Sequence, residues 1–424
     1  MQNGQPRVTV LYHYFHPDDV VSARHYEEFC RGLVARHWRV EALPCNRGCR
    51  DESKLYAPSE NWSGISIRRI WRPGLKQASK VGRIANSAWM IAAWCKDVLL
   101  RRRKNLPDVL VIGTDPVLSV AVAWVVKKLR PSVRTVHWCY DLYPEAPIAE
   151  GMFRENSLTV RMVKRVAGAS YRSCDLVADL GSCMRGRLET YGHQSRKVTL
   201  PPWALAEPDA VALPDPQTRR DLFGGSSLGL LYSGNFGHAH SADEFLELAR
   251  CVRDDGVHIC FGVRGNSVNQ LRAAVRPDDT NVSFAGFAPE SVLEARLAAA
   301  DIHLASLRPN WTGIVVPSKF FGSLATGRPV IFAGPSDSCI ARWICEYEVG
   351  WVLNKQSLPA IANELRELAR GSEKLKAIQR RCHEVYQSHF SQHRIMDRWD
   401  EELRSLLNGT GEVIGNGERG RTNQ

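Results

Sequence analysis

The chain has 424 residues, more than one ordinary core accommodates, so two domains of roughly 200 residues each are expected. A hydrophobic share of 44% beside a charged share of 24% excludes a disordered or fibrous chain. No apolar run reaches the roughly 18 residues that a membrane-crossing helix needs. The opening residues lack an apolar leader core, so no signal peptide is expected. The twelve cysteines show no C-x-x-C spacing and read as reduced thiols of a cytoplasmic protein, with no metal site expected. The net charge of +11 is concentrated. Residues 64–104 carry eleven Lys or Arg against one acid, Asp97, which fits a polyanionic partner: a phosphate-rich substrate, an anionic membrane surface or nucleic acid.

In chain order, residues 7–15 form a β-rich run and residues 26–37 have helical spacing, with Phe29, Leu33 and Val34 on one face. Residues 38–45 and 65–73 read as strands. Residues 81–103 read as a helix with Ile84, Ala88, Ile91, Cys95 and Val98 on one stripe. Residues 108–116, 134–138 and 175–181 are further strands, and 158–174 is a helix. Alternating strands and helices with near-continuous apolar strands predict a parallel, doubly wound sheet. Five prolines (Pro201, Pro202, Pro208, Pro214 and Pro216) then mark a linker, set at 201–218.

The alternation restarts after it, with a strand and its closing turn expected over 227–237 and over 257–266, and strands at 281–287, 302–310, 328–335 and 350–354. The division is therefore a first α/β domain over 1–200 and a second over 219–385. A terminal helix over 386–407 is expected to pack back on the first domain, and a disordered tail over 408–424 to follow.

Two such domains put two sets of strand ends opposite each other, and ligands bind at such crevices. The turn Tyr232-Ser233-Gly234-Asn235-Phe236-Gly237 is either an ordinary βα turn or a phosphate cradle. Gly262-Val263-Arg264-Gly265-Asn266 adds a cation at the next turn. Pro317 and Ser318 sit where a helix begins, with Ser318 as N-cap. Lys319 then falls in the first turn, where a cation is unfavourable unless an anion shares the site; the alternative is a surface lysine. His238 and His240 either contact phosphate or sugar, or shape their loop. The helix at 81–103 is either a buried crossover helix or, with Trp89, Trp94 and the basic run after it, a helix lying on an anionic membrane.

These segments together resemble the family-4 glycosyltransferases of the GT-B fold, in particular the branch that builds bacterial surface polysaccharides. The likeness rests on YFHPDD and SAR near the start, TDPVLSV, DLYPEAP, YSGNFG, VPSK followed by ATGRPVI, and the late VGWVL, in that order. It implies two Rossmann-like domains facing a cleft and a retaining, metal-independent transfer of a hexosyl group from a nucleotide-sugar. No cofactor is expected, and a UDP-sugar heads the candidate donors. The acceptor would be a glycan or a polyprenyl-diphosphate-linked sugar. The enzyme would work in the cytoplasm or on the inner face of the membrane, and no specific nucleic acid is expected.

Residues assigned to the donor on this basis are Gly234, Asn235, Gly237, His238, His240, Gly262, Arg308, Pro317, Ser318 and Lys319. Lys319 and Arg264 are assigned to stabilising the leaving diphosphate, and Asp141 to proton transfer. His13, His16, Asp18, Asp115 and Glu145 are placed on the acceptor side. Asp141 has an equal structural reading as a helix cap or loop-stabilising acid. The sequence departs from the family where Trp311 and Lys319 replace its two glutamates and Gly322 replaces an acid of some relatives. Two rival readings remain on sequence alone: a sugar-nucleotide 2-epimerase, and a non-catalytic basic protein that binds nucleic acid or scaffolds an assembly.

Overall fold

The computed structural model describes residues 4–409 apart from Asp19, Ala78 and Ser372. The expected tail at 408–424 therefore lies almost wholly outside the described residues.

The first half contains β1 (Arg7–Leu11), α1 (Val21–Ala35), β2 (Arg39–Ala42), β3 (Ser59–Trp62), β4 (Ile65–Arg68) and α2 (Lys80–Leu100). It continues with β5 (Val109–Ile112), α3 (Ala121–Leu129), β6 (Arg134–Trp138), α4 (Glu145–Ala149), α5 (Leu158–Tyr171), β7 (Leu176–Asp179), α6 (Ser182–Glu189) and β8 (Arg196–Thr199). Its eight strands lie in the order β3-β4-β2-β1-β5-β6-β7-β8. All pair in parallel except β3, which turns back against β4. Strands such as Val109–Ile112 are buried at every position, as a sheet covered on both faces requires.

The second half contains α7 (Pro216–Phe223), β9 (Leu228–Asn235), α8 (Asp243–Cys251), β10 (Val257–Arg264), α9 (Val268–Ala274), β11 (Val282–Ala285), α10 (Leu293–Ala298) and β12 (Ile302–Ser306). After these come α11 (Lys319–Ala325), β13 (Val330–Ala333), α12 (Cys339–Tyr347), β14 (Gly350–Leu353), α13 (Leu358–Ala369), α14 (Glu373–Val385) and α15 (Gln392–Asn408). The six strands form a wholly parallel sheet in the order β11-β10-β9-β12-β13-β14. The chain is thus α/β with two doubly wound sheets.

α15 returns to the first half. Trp399 is fully buried between Phe29 of α1, 5.0 Å away, and Trp138 of β6, 5.1 Å away. Trp38 Nε1 donates to Asp400 at 2.6 Å, and Arg36 pairs with Asp397 at 2.6 Å.

Four sequence expectations are corrected here. The proline-rich stretch is not a bare linker. Trp203 is 1% exposed, packs near Trp138 and donates from Nε1 to Glu28 at 2.5 Å. The strand into the glycine-rich turn runs on to Asn235, because β10 pairs with it as far as Arg264. Ser318 has helical backbone angles and its side chain caps nothing. In α2 the buried residues are Asn86, Met90, Trp94 and Val98; of the expected stripe Val98 is buried, Ile91 and Cys95 are half-buried, and Ile84 and Ala88 face solvent. Trp94 Nε1 donates to Leu43 O at 2.8 Å and fixes that rotation.

The basic segment is also partly neutralised. Arg68 and Arg101 pair with Asp97 and Glu41, Arg69 with Glu60, and buried Arg72 with Glu52. Among the described residues Lys76, Lys80, Arg83, Lys96, Arg102, Arg103 and Lys104 have no carboxylate within pairing distance.

Candidate active site

The loop after β12 joins the two halves. Leu142 N–H donates to Ile314 O at 3.1 Å, Asn310 Nδ2 donates to Ala149 O at 2.9 Å, and Arg187 donates to Thr312 O. Gly313 has φ +73°, and a Cβ there would lie 2.4 Å from Cys183 O, so only glycine allows this approach. Trp311, which replaces a family glutamate, is buried in the same contact.

Beside this joint the strand ends of the second sheet open on a cavity of about 620 Å³. Residues of both halves line it. Arg24, His25 and Trp203 stand on one side, and Ser233, Gly234, Asn235, Arg264, Ser318 and Lys319 on the other.

Lys319 is the centre of the second group. Its Nζ donates to Asn235 O at 3.0 Å and stands 5.0 Å from the Tyr232 ring centroid. No carboxylate among the described residues pairs with it. Burial pulls its ammonium down to about 8, so the charge is held at a cost that an anion would relieve. Gly234 has φ +119°, and a Cβ there would meet Lys319 Cε at 3.3 Å.

The first turn of α11 is closed by Phe320 N–H to Pro317 O at 3.2 Å and Phe321 N–H to Ser318 O at 3.1 Å. Among the described residues the N–H groups of Ser318 and Lys319, both residues of the cavity lining, have no hydrogen-bond acceptor. Arg264, paired with Asn235 across the strands, is exposed and lies 3.7 Å over the Phe287 ring. It too has no carboxylate partner among the described residues.

Other residues singled out from sequence stand behind this wall. Arg308 Nε donates to His240 O at 2.8 Å, and its N–H donates to Ala239 O at 2.8 Å, so it ties down the loop. His240 shares a bond with Ser306 O at 2.7 Å; burial, with Lys319 and Arg308 nearby, lowers it to about 3 and keeps it neutral. His238 is exposed and Gly237 half-buried on the same turn, outside the cavity lining. Gly262 leaves room for Arg296, whose Nη1 would stand 3.0 Å from a Cβ there. Pro317 is buried beneath Ser318.

The acceptor-side residues do not line this cavity. They cluster at the ends of β1, β5 and β6. His13 is buried, with Nδ1 3.2 Å from Asp115 Oδ2. Burial opposes its charge, but the Asp115 carboxylate outweighs it and raises His13 to about 9. Asp141 is raised to about 6 by burial and by the nearby Asp115. His16 stacks on Trp62 at 4.1 Å. Asp18 accepts from Cys49 N–H and Tyr56 Oη, each at 3.0 Å. Glu145 opens α4 and accepts from Tyr191 Oη at 2.5 Å, so both acids brace loops.

The sequence reading missed His25 and Phe287, and named Ser233 only as part of its turn. Phe287 follows β11, and an aromatic just beyond an apolar strand was the available signal. Among the described residues no group of three or more His, Cys, Asp or Glu is placed to hold a metal ion.

The layout recurs in solved structures. Sucrose-phosphate synthase from Thermosynechococcus elongatus superposes with a TM-score of 0.70 at 13% identity, covering 96% of this chain and 100% of that one. Anabaena HepE in complex with UDP and glucose gives 0.64 at 13% identity, covering 94% and 99%. WaaG, a glycosyltransferase involved in lipopolysaccharide biosynthesis, gives 0.60 at 15% identity, covering 97% and 100%. The chain has the GT-B fold. In sequence, this GT-B protein is 23% identical over 330 residues to a probable glycosyltransferase, WbjE, of Pseudomonas aeruginosa, covering 76% of this chain and 80% of that protein. No family model matches the chain.

Proposed function

We propose that this GT-B protein is a glycosyltransferase of the family-4 kind, acting in polysaccharide or glycan assembly. It takes a nucleotide-sugar, with a UDP-sugar the first candidate, and passes a hexosyl group with retention to a glycan or polyprenyl-diphosphate-linked acceptor at the inner face of a membrane. The observation that carries this reading is the Lys319 ammonium, half-buried beside Gly234 at the strand ends and, among the described residues, without a carboxylate partner. Arg264 and Ser318 line the same cavity. Such a set suits a diphosphate, whose negative charge grows as the sugar leaves. The Anabaena neighbour crystallised with UDP and glucose is consistent with that use.

The reaction needs one bond broken and one formed. The C1–O bond to the diphosphate opens while Lys319 and Arg264 take up the developing charge. The acceptor hydroxyl enters from the same face, assisted by the leaving phosphate, and gives its proton to that oxygen. Lys319 replaces the family's second glutamate, so charge neutralisation takes the place of a carboxylate contact there.

A thermal-shift panel of UDP-, GDP- and dTDP-sugars tests the reading. At least one should raise Tm, with UDP-sugars first. If none moves it, the transferase reading fails.

A further inference from the structure

α6 follows β7 of the first sheet and α12 follows β13 of the second, so both helices begin at strand C-terminal ends, where the two sheets face each other. The two helix starts touch. α12 meets α6 through Cys339, Arg342 and Trp343, at the i, i+3 and i+4 spacing that shares one helix face. A Cβ on Gly181 would stand 2.7 Å from Cys339 Sγ and 3.5 Å from the Trp343 ring, so glycine makes room for the approach. Arg342 Nη1 reaches Ser182 Oγ at 3.5 Å. Cys183 is the next residue. Its carbonyl is the one that Gly313 lies against, so Cys183 belongs to the joint between the halves.

This contact sets a thiol of one half against a thiol of the other, and both are free. Their surroundings differ. Cys183 is half-buried, and Cys339 is almost wholly enclosed. Hydrogen bonding with the Cys339 thiol pulls Cys183 below the ordinary thiol range. Burial opposes this, and main-chain N–H groups at the two helix starts add to it. The same partner, together with burial, pushes Cys339 well up. Burial pushes other thiols up as well, Cys30, Cys139 and Cys174 among them. Cys183 is thus the thiolate side of the pair and open to small molecules, while Cys339 is the protonated side. A thiolate is the nucleophile towards a peroxide, and an adjacent thiol is what closes the disulfide.

We infer that Cys183 and Cys339 are a redox-modification site, where hydrogen peroxide joins them as a disulfide that ties the two halves together across the cleft. The Cys183 sulfur attacks one peroxide oxygen. The O–O bond breaks, and the other oxygen leaves as hydroxide and takes up a proton to become water. Cys183 is then a sulfenic acid. The Cys339 sulfur attacks the Cys183 sulfur, the S–O bond breaks, and the departing oxygen leaves as water with the Cys339 proton. Two thiols are oxidised, one peroxide is reduced to two waters, and a dithiol reverses the bond by exchange. The bond lies beside the joint that Leu142, Asn310 and Gly313 make, so the halves no longer part there. The Leu142 N–H, which crosses that joint to Ile314 O, reports on such parting through its hydrogen exchange. The disulfide does not rest on the function proposed above. On that function, it holds the two walls of the cavity at one spacing and slows UDP release.

The test treats the reduced full chain with hydrogen peroxide, blocks the remaining thiols and digests the protein without reductant for mass spectrometry. A linked peptide pair carrying Cys183 and Cys339, lighter than the reduced pair by two hydrogens, should appear and should vanish after dithiothreitol. Exchange of the Leu142 amide should slow in the oxidised protein and recover on reduction. Two variants apportion the roles. In Cys339→Ser a hydroxyl donor stays beside Cys183 but no bond can close, so dimedone should trap the sulfenic acid at Cys183 ahead of exposed Cys251. In Cys183→Ser peroxide should leave Leu142 exchange unchanged. Absence of the linked peptide from the wild type overturns the inference, and that readout needs no variant to fold. A linked peptide with unchanged Leu142 exchange overturns the tie between the halves. Dimedone on Cys251 ahead of Cys183 overturns the role of Cys183 as the attacking thiolate. The linked peptide in a protein that never binds UDP keeps the disulfide and sinks the transferase reading.

Discussion

The ammonium of Lys319 donates to the main-chain carbonyl of Asn235 across 3.0 Å, and no carboxylate among the described residues balances it. Burial lowers its pKa to about 8. A bound diphosphate favours the charged form and raises that value. UDP affinity should therefore stay level below about pH 8 and fall above it, by up to about tenfold per unit, with a proton taken up on binding. Calorimetry across this range checks the slope. A level profile through pH 9 in the wild type would show that Lys319 is not the group that meets the phosphates.

Gly234 holds the same lysine from the other side. Its φ of +119° strains any other residue, and a Cβ at this position would stand only 3.3 Å from Lys319 Cε. Gly234→Ala should cost about 1–3 kcal/mol of stability and weaken UDP binding by displacing the ammonium. Denaturant unfolding and UDP titration on one sample check both effects. Unchanged values for both would remove the strain argument.

His13 and Asp115 form a buried imidazole–carboxylate pair. The folded pKa of His13 is raised from 6.5 to about 9. Its stabilisation is therefore complete below about pH 6.5 and is lost as pH climbs through about 9. The shift sets a ceiling of about 3 kcal/mol, and the partial exposure of Asp115 reduces it. In Asp115→Asn only the smaller contribution of Cys45 opposes burial, so the ring's pKa should drop well below 9. Titration of the His13 ring by NMR checks this. A ring still titrating near 9 in the variant would mean that another group holds the proton.

Much of the architecture was legible because its causes are local. Apolar runs such as Val109–Ile112 and Val330–Ala333 are buried on both faces and announce a parallel sheet. The rotation of α2 was not legible. Its sequence offers two apolar stripes, and the choice between them is made by a distant partner, the Leu43 carbonyl that receives Trp94 Nε1. Likewise a proline-rich crossing looks like a linker until Trp203 finds Trp138 and Glu28. At the site, Gly234, Arg264, Ser318 and Lys319 come from three segments that the sequence marked separately. Arg308 was marked by the same logic, but its Nε donates to the His240 carbonyl and it does not line the cavity. Which strand-end cations reach the cavity depends on how the loops fold, and the sequence does not display that.

Trp399 joins the last helix to the first sheet through Phe29 and Trp138. Trp399→Ala should cost about 3–5 kcal/mol and lower Tm. Scanning calorimetry checks it; a change below about 1 kcal/mol would mean that α15 contributes little to holding the first half together.

The central claim is that the Lys319 cation grips the donor diphosphate. Calorimetric titration of a UDP-sugar into the wild type and into Lys319→Ala at neutral pH tests it directly. Loss of one charge-assisted contact should weaken binding roughly ten- to a hundredfold, with Tm little changed. Equal affinity in the two proteins, or no binding by the wild type, would contradict it.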